Sequence, residues 1–494
     1  MNHFALTATG LLVSAAFLAG PAPALADSGS TGADVSVATT LGSRELTVTL
    51  RRVTSVPGPL GVDVITHAGS GPGTLQLAVT PVGATTGGPP SGLVTSTAAL
   101  ALSGTPGPAG AVLTVDRTGP WELSVDDGLN VARIPFVVPG QASTPAEKSV
   151  YGGFVAAGVC LLAGIVVAVA ARRTWLPALP GAALVAAVAV AVTGAVLSAS
   201  TPAPPMPGQE LDPTVANAAD PYAEIWRAGG LSRPPATLLL GTTAVPRAAA
   251  TPIGLSLCDA ATGLPVDDLV VHDGALIHLM IVGPGGELWH LHPARTAPGT
   301  FTFTFTAPRN GHYAVAGEVE RRGGGVQMLR SASGFDVTGP GTAAPAAAPL
   351  PATGGSRTID GTAVQVAMLP AVAGTPVTLR AQVGDRADLQ PWLGMLGHLI
   401  VVGPLGAGGA QTAPLWAHAH AMGAAAGMAM GASDAMVPVA SAIGATLPDE
   451  TVAAYGPTVG FTFAFPLPGR YQVWVQAERN YTIITVPIMV TVGT

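Results

Sequence analysis

Two uncharged stretches lie close together in the first half of the chain, and they restrict its fold more than any other feature. Tyr151 to Ala171 reads "YGGFVAAGVCLLAGIVVAVAA", and Trp175 to Ser200 reads "WLPALPGAALVAAVAVAVTGAVLSAS". Each is about the 20 residues that a membrane-crossing helix needs. Neither carries the polar stripe usual for a helix in a soluble core. A backbone in lipid must satisfy its own hydrogen bonds, so both are expected to be helices, paired as a transmembrane hairpin over 150–200. Arg172 and Arg173 occupy the turn between them, and the positive-inside rule places that turn in the cytoplasm. Lys148, the only lysine, sits at the far end of the first helix and argues weakly the other way.

The N-terminus agrees with this orientation. "MNHFALTATGLLVSAAFLAGPAPALADS" has a polar start, a short apolar run and a small-residue "ALA" before Asp27. Residues 1–26 therefore read as a secretory signal peptide, although His3 is the only basic group before the apolar run. Both large flanking segments are then expected outside the cytoplasm, with the protein held in the cell membrane. The net charge is −7 and only 10% of residues are charged, so no basic stripe exists to bind nucleic acid. The two cysteines cannot plausibly pair, since Cys160 lies in the first apolar stretch and Cys258 far beyond the second. Cys258 reads as a small buried apolar residue.

The flanking segments are patterned as strands. "ELTVTLRRV", "GTLQLAVTPV", "WELSVDD" and "VARIPFVV" alternate apolar and polar residues between Pro/Gly-rich turns, which predicts an antiparallel β-sandwich over 27–142. Its single histidine, His67, reads as a surface residue. A proline-rich spacer over 201–235 is followed by β-patterned segments over 236–338 and 357–494, with an Ala/Pro linker over 339–356. The expected fold is mainly β: three extracytoplasmic antiparallel β-sandwiches, immunoglobulin-like or cupredoxin-like, plus the helical hairpin.

The last two segments are copies of one another. "DLVVHDGALIHLMIVGP" starts at Asp268 and "DLQPWLGMLGHLIVVGP" at Asp388, so His278 and His398 coincide. "LWHLHP" from Leu288 then matches "LWAHAHA" from Leu415, and "FTFTFTAPRNGHYAV" matches "FTFAFPLPGRYQV". Repeats of this length are duplicated domains. The "LGMLGHLIVVG" run, the H-x-H after it and the "PGRY" strand resemble a domain of poorly characterised envelope proteins, mainly actinobacterial. That resemblance covers the last half of the chain, twice. It implies immunoglobulin-like or cupredoxin-like sandwiches and an association with metals. The first copy departs from it with His272-Asp273 where the second has Pro391-Trp392, and the second copy lacks the proline after its H-x-H.

Residues i and i+2 of a strand share a face, so His290 with His292, and His418 with His420, present paired imidazoles. His278 and His398 lie on the preceding strands. A five-residue connection over Gly283 to Glu287 sets His278 opposite His292, with Met280 opposite His290; a four-residue loop flips the parity. Three neutral imidazoles on one sheet face suit copper or, less well, zinc. Met422 follows His420, with Met428, Met430 and Met436 further along an Ala/Gly run, and thioethers favour cuprous ion. The candidate metal ligands are thus His278, His290, His292, His398, His418, His420 and Met422. His272 and His312, present only in the first copy, read as surface residues. Trp289 and Trp416 read as core residues on the strand face opposite the histidines, and Tyr313 and Tyr471 as buried structural rings.

No nucleophile elbow, H-E-x-x-H or phosphate-binding glycine loop occurs, so the chain reads as a non-enzyme. The expectation is a membrane-anchored, extracytoplasmic metal-binding protein, copper favoured, that sequesters or delivers its ion. The alternative is an envelope interaction or scaffold protein whose histidines are structural.

Overall fold

The computed structural model describes residues 34–138, 145–198 and 235–494, apart from 52, 54, 83–92, 174, 267, 322–324, 342–345, 347 and 422–448. The signal peptide, the proline-rich spacer and Met422, Met428, Met430 and Met436 lie outside the described residues.

Helices α1 (Pro145–Ala170) and α2 (Ala178–Ser198) form one compact unit. Both are long and apolar enough to cross a membrane. They approach closely where side chains are small. A Cβ on Gly153 would lie 2.8 Å from the Ala187 carbonyl, and one on Gly194 would lie 2.8 Å from the Ala146 carbonyl.

The rest of the described chain is a second compact unit built of β-sandwiches. In the N-terminal sandwich the strands Val35–Leu41, Arg44–Leu50, Gly58–Thr66 and Gly107–Val115 form one antiparallel sheet. Ser96–Leu102, Gly73–Pro81, Gly119–Asp126 and Val131–Val138 form the other. Gly119–Asp126 alternates strictly between buried and half-buried side chains, the period-2 burial of a strand with one face on a core.

The two repeats share a plan. In the first, His278–Val282 lies between Leu288–Leu291 and Gly311–Arg321, and Phe335–Thr338 extends the sheet. In the second, Gly397–Gly403 lies between Leu415–Ala421 and Gly469–Arg479, and Thr482–Gly493 extends it. A four-stranded sheet backs each. Leu350–Pro351 pairs with Thr482–Gly493, so the second repeat reaches into the stretch read as a linker. The repeats also keep an Arg–Asp bridge in common: Arg321 to Asp268 at 3.0 Å, and Arg479 to Asp388 at 2.6 Å. Tyr313 and Tyr471 are buried rings whose hydroxyls donate to the carbonyls of Arg309 and Leu467 four residues upstream, at 3.0 and 2.8 Å.

His278–Val282 and Gly397–Gly403 do not alternate, because every residue in both strands is buried. One face of each looks into its own sandwich. The other faces meet each other: Met280, Val282, Ala314 and Ala316 pack against Ile400, Val402, Trp416 and Trp474. Burial on both faces explains why "HLMIV" and "GHLIVVG" are nearly unbroken apolar runs.

Candidate metal centre

The register decides where the histidines point. Met280 pairs with His290 and Leu279 with Leu291, the five-residue connection, so His278 and His292 are opposed. In the second repeat His398 pairs directly with His420, and Ile400 with His418. All six imidazoles lie on the sheet faces that meet between the repeats. The expectation was one triad within each sandwich; tertiary packing places both triads in a single cluster. Ring centroids lie 4.8 Å apart for His278–His418, 4.9 Å for His290–His418 and 5.6 Å for His290–His398 across the interface.

Each ring has one nitrogen committed to a partner outside the cluster. His278 donates its Nε2 proton to the His272 carbonyl at 3.0 Å, and His398 does the same to the Trp392 carbonyl at 3.2 Å. His290 donates Nδ1–H to Gln476 Oε1 at 2.9 Å, while the Gln476 amide nitrogen donates to Thr485. His418 reaches Glu318 Oε1 from Nδ1 at 3.2 Å, and His420 reaches Asp273 Oδ2 from Nδ1 at 3.2 Å. His292 donates Nδ1–H to Glu45 of the N-terminal sandwich at 2.5 Å. Thr40 of the same sandwich brackets that histidine, since the His292 amide donates to Thr40 Oγ1 at 2.8 Å and the Thr40 amide donates to the His292 carbonyl at 2.6 Å.

With those protons placed, the second nitrogens present lone pairs to one another. His278 Nδ1 lies 3.1 Å from His290 Nε2 and 3.3 Å from His292 Nε2. His418 Nε2 lies 3.2 Å from both His398 Nδ1 and His420 Nε2. Facing lone pairs repel, and a shared cation turns that repulsion into attraction. Imidazoles bound to a tetrahedral ion at about 2.0–2.1 Å have nitrogens about 3.3 Å apart, close to these separations. Outer hydrogen bonds that fix tautomer and ring orientation are the usual support of metal-ligating histidines.

The electrostatics suit a cation. Burial, reinforced by neighbouring imidazoles, holds His278, His290, His398 and His418 well below the usual histidine range, and burial lowers His420 as well. These rings are therefore neutral at pH 7 and ready as ligands. Burial also pushes Glu318 up to about 7.

The structure corrects several expectations. His67 is buried, not at the surface. Its Nδ1 lies 2.8 Å from Glu478 and its Nε2 3.1 Å from Glu450, and Thr47 also donates to Glu450. Burial works against its charge, yet the two carboxylates raise it to about 10. His272 is half-buried, 3.0 Å from Asp273 and 3.1 Å from Glu320; burial opposes its charge too, but Asp273 and Glu320 raise it to about 10. His312 is half-buried and pairs with Asp336 at 2.9 Å; it is the most exposed histidine among the described residues. His272 matches Trp392 and Asp273 matches Leu393. Each pair opens the same turn, with His272 bridged to Ala275 and Trp392 to Met395. Trp416 is not on the face opposite its histidines. It pairs with Val402, where Leu288 pairs with Val282, and lies two residues before His418 on the same face, packed into the interface. Trp289 does take the opposite face, against Phe305 and Tyr313. Cys258 is only half-buried.

Glu318 and Gln476 escaped the sequence reading. They stand opposite His278 and His398 in register, as polar residues that interrupt the apolar stretches of "YAVAGEVER" and "YQVWVQAER". That interruption was the available signal. Glu45 left none, because it is 247 residues from its histidine.

Comparison with solved structures returns distant multi-domain proteins. A tetra-tandem repeat from the extending region of a large adhesion protein is 10% identical over 93% of this chain and 74% of that one, with a TM-score of 0.15. The first three fibronectin domains of chicken CNTN1 are 7% identical over 92% of this chain and 99% of that one, at 0.14. A putative membrane anchored protein from Corynebacterium diphtheriae is 8% identical over 93% and 96%, also at 0.14. At these scores the likeness stops short of a shared overall arrangement. No curated protein matches the sequence. Residues 357–494, the second repeat, match one family, a domain of unknown function, DUF8832.

Proposed function

We propose that this chain is a membrane-anchored, extracytoplasmic metal-binding protein that sequesters or delivers its ion, with copper favoured over zinc. The observation that carries the reading is the set of six imidazoles, five buried and that of His420 half-buried, each with its outer nitrogen engaged and its inner nitrogen turned toward the others. An all-imidazole site without carboxylate or thiolate in its inner ring suits copper, which also binds nitrogen ligands more tightly than zinc does. His420, whose side chain keeps 13% exposure, stands at the end of the strand that leads to Met422. Thioethers there would extend the preference toward cuprous ion.

The helices and Arg172–Arg173 support a topology in which the turn is cytoplasmic and the sandwiches lie outside. A reporter fused after Thr494 should be active only on the outer side; activity confined to the cytoplasm would overturn this. For the metal, the full chain purified in detergent should retain copper after loading and dialysis, and a His290→Ala, His292→Ala, His418→Ala, His420→Ala variant should retain none. Equal, negligible copper in both would sink the reading, and the scaffold alternative would take its place.

A further inference from the structure

We propose that the six histidines hold two ions, one in each triad, as a dinuclear centre assembled across the interface between the repeats. This rests on the metal reading above and extends it.

Three observations lead there. First, the cluster has an approximate two-fold relation. His278, His290 and His292 share register and inward donor atoms with His398, His418 and His420, and His278 and His398 donate outward to equivalent carbonyls, those of His272 and Trp392. In the second triad the three ligand atoms all lie within 4.8 Å of one another, and in the first His278 Nδ1 lies 3.1 Å from His290 Nε2 and 3.3 Å from His292 Nε2, so each repeat presents three inward nitrogens. Second, one tetrahedral ion takes about four ligands. A single ion at the junction would leave at least two buried imidazole nitrogens aimed into the cluster without a cation. Two ions use all six. Third, the halves are joined rather than separate. Ligand atoms of His278 and His290 lie within 4.8 Å of one from His418, which also belongs to the second triad. Two-metal centres typically have ions about 3.5–4 Å apart, and rings at this separation can hold ions at that order.

The crossing hydrogen bonds make the assembly mutual. His290 of the first repeat is oriented by Gln476 of the second, and His418 of the second by Glu318 of the first. Neither half is fully oriented without the other sandwich. The ion pair and the docked repeats therefore stabilise one another by linkage.

The test uses the full chain in detergent, with copper as the probe. Copper bound per chain is measured by elemental analysis, and the cupric form by electron paramagnetic resonance. The expected result is two equivalents per chain and a spin count well below the copper count, because neighbouring cupric ions couple. His292→Ala and His420→Ala, one from each triad, should each drop the content to one equivalent and restore a mononuclear signal with a full spin count. Circular dichroism of the apo variants, with His292→Gln and His420→Gln as milder substitutes, checks that the fold survives. Saturation of the parent chain at one equivalent with a mononuclear signal would overturn the dinuclear centre while leaving the metal function standing. No bound copper at all would remove both.

Discussion

The two C-terminal repeats have kept their inner histidines and exchanged almost everything around them. Where the first has Glu318, the second has Gln476, and each serves a histidine of the other copy. Where the first has His272 and Asp273, the second has Trp392 and Leu393, both buried. Where the first has Leu288, the second has Trp416 packed into the interface. Even the shared glutamates differ in partner: Glu320 pairs with His272 inside its own sandwich, while Glu478 pairs with His67 of the N-terminal sandwich. The first copy thus supplies the charge around the cluster and the second supplies apolar cover. Duplication preserved the imidazole geometry, and divergence of the surrounding ring made the copies complementary.

The sharpest way to break this comparison is at the two histidine–glutamate pairs. His67→Ala leaves Glu450 and Glu478 facing each other in a buried site, and loss of one partner from such a site costs about 3–5 kcal/mol. His272→Ala, at the half-buried pair in the first repeat, should cost less than His67→Ala, because solvent reaches its carboxylates and screens them. Denaturant unfolding of the two variants measures the difference; equal losses would mean that His67 is no clamp. The same pair sets a pH dependence. His67 is raised to about 10 in the folded state, so its stabilisation is full below about 6.5, its unfolded value, and is lost as pH rises through 10. Glu478 is raised by burial to about 7, so its ionisation also lowers stability as pH rises from about 4.5 through 7. Melting temperatures between pH 7 and 10 should fall in the parent chain and stay flatter in His67→Gln.

Trp416→Ala should cost about 3 kcal/mol or more through the cavity left between the repeats. Leu288→Ala at the matching, half-buried position should cost about half as much. The smallest effect concerns the crossed partners. Glu318→Gln makes the first copy resemble the second and should weaken copper binding by about 10-fold, at the low end for outer-ring partners. Adding Gln476→Glu should restore affinity to within about threefold, since the two-fold relation lets the carboxylate work from either side. A competition titration with a copper chelator reads both, and no recovery in the double variant would show the copies to be inequivalent at the ion.

Much of the architecture was legible from periodicity. Alternation marked the strands, the uncharged stretches marked α1 and α2, and the 120-residue offset between His278 and His398 marked the duplication. The H-x-H spacing committed His290 with His292, and His418 with His420, to common faces, because strand side chains alternate. Those are local rules, and local sequence carries them. His67 shows where such rules stop: its polarity suggested solvent, but Glu450 and Glu478 lie 383 and 411 residues away and make burial tolerable (67 subtracted from 450 and from 478).

The residue types and spacings of the six histidines were determined by the sequence alone, and so were the strands that carry them. Their meeting was decided by the tertiary structure. A sheet face has no means within its own sandwich to distinguish solvent from a second sheet; only docking buries it. The unbroken apolar runs "HLMIV" and "GHLIVVG" hinted that both faces were covered, but not by what. Packing of Met280 and Val282 against Ile400, Val402 and Trp416 brings the two triads together, and the N-terminal sandwich adds Glu45 from a third direction. The physical reason is range: hydrogen-bonded registers are set by neighbours in the chain, whereas a cluster of lone pairs is set by which surfaces exclude water against each other.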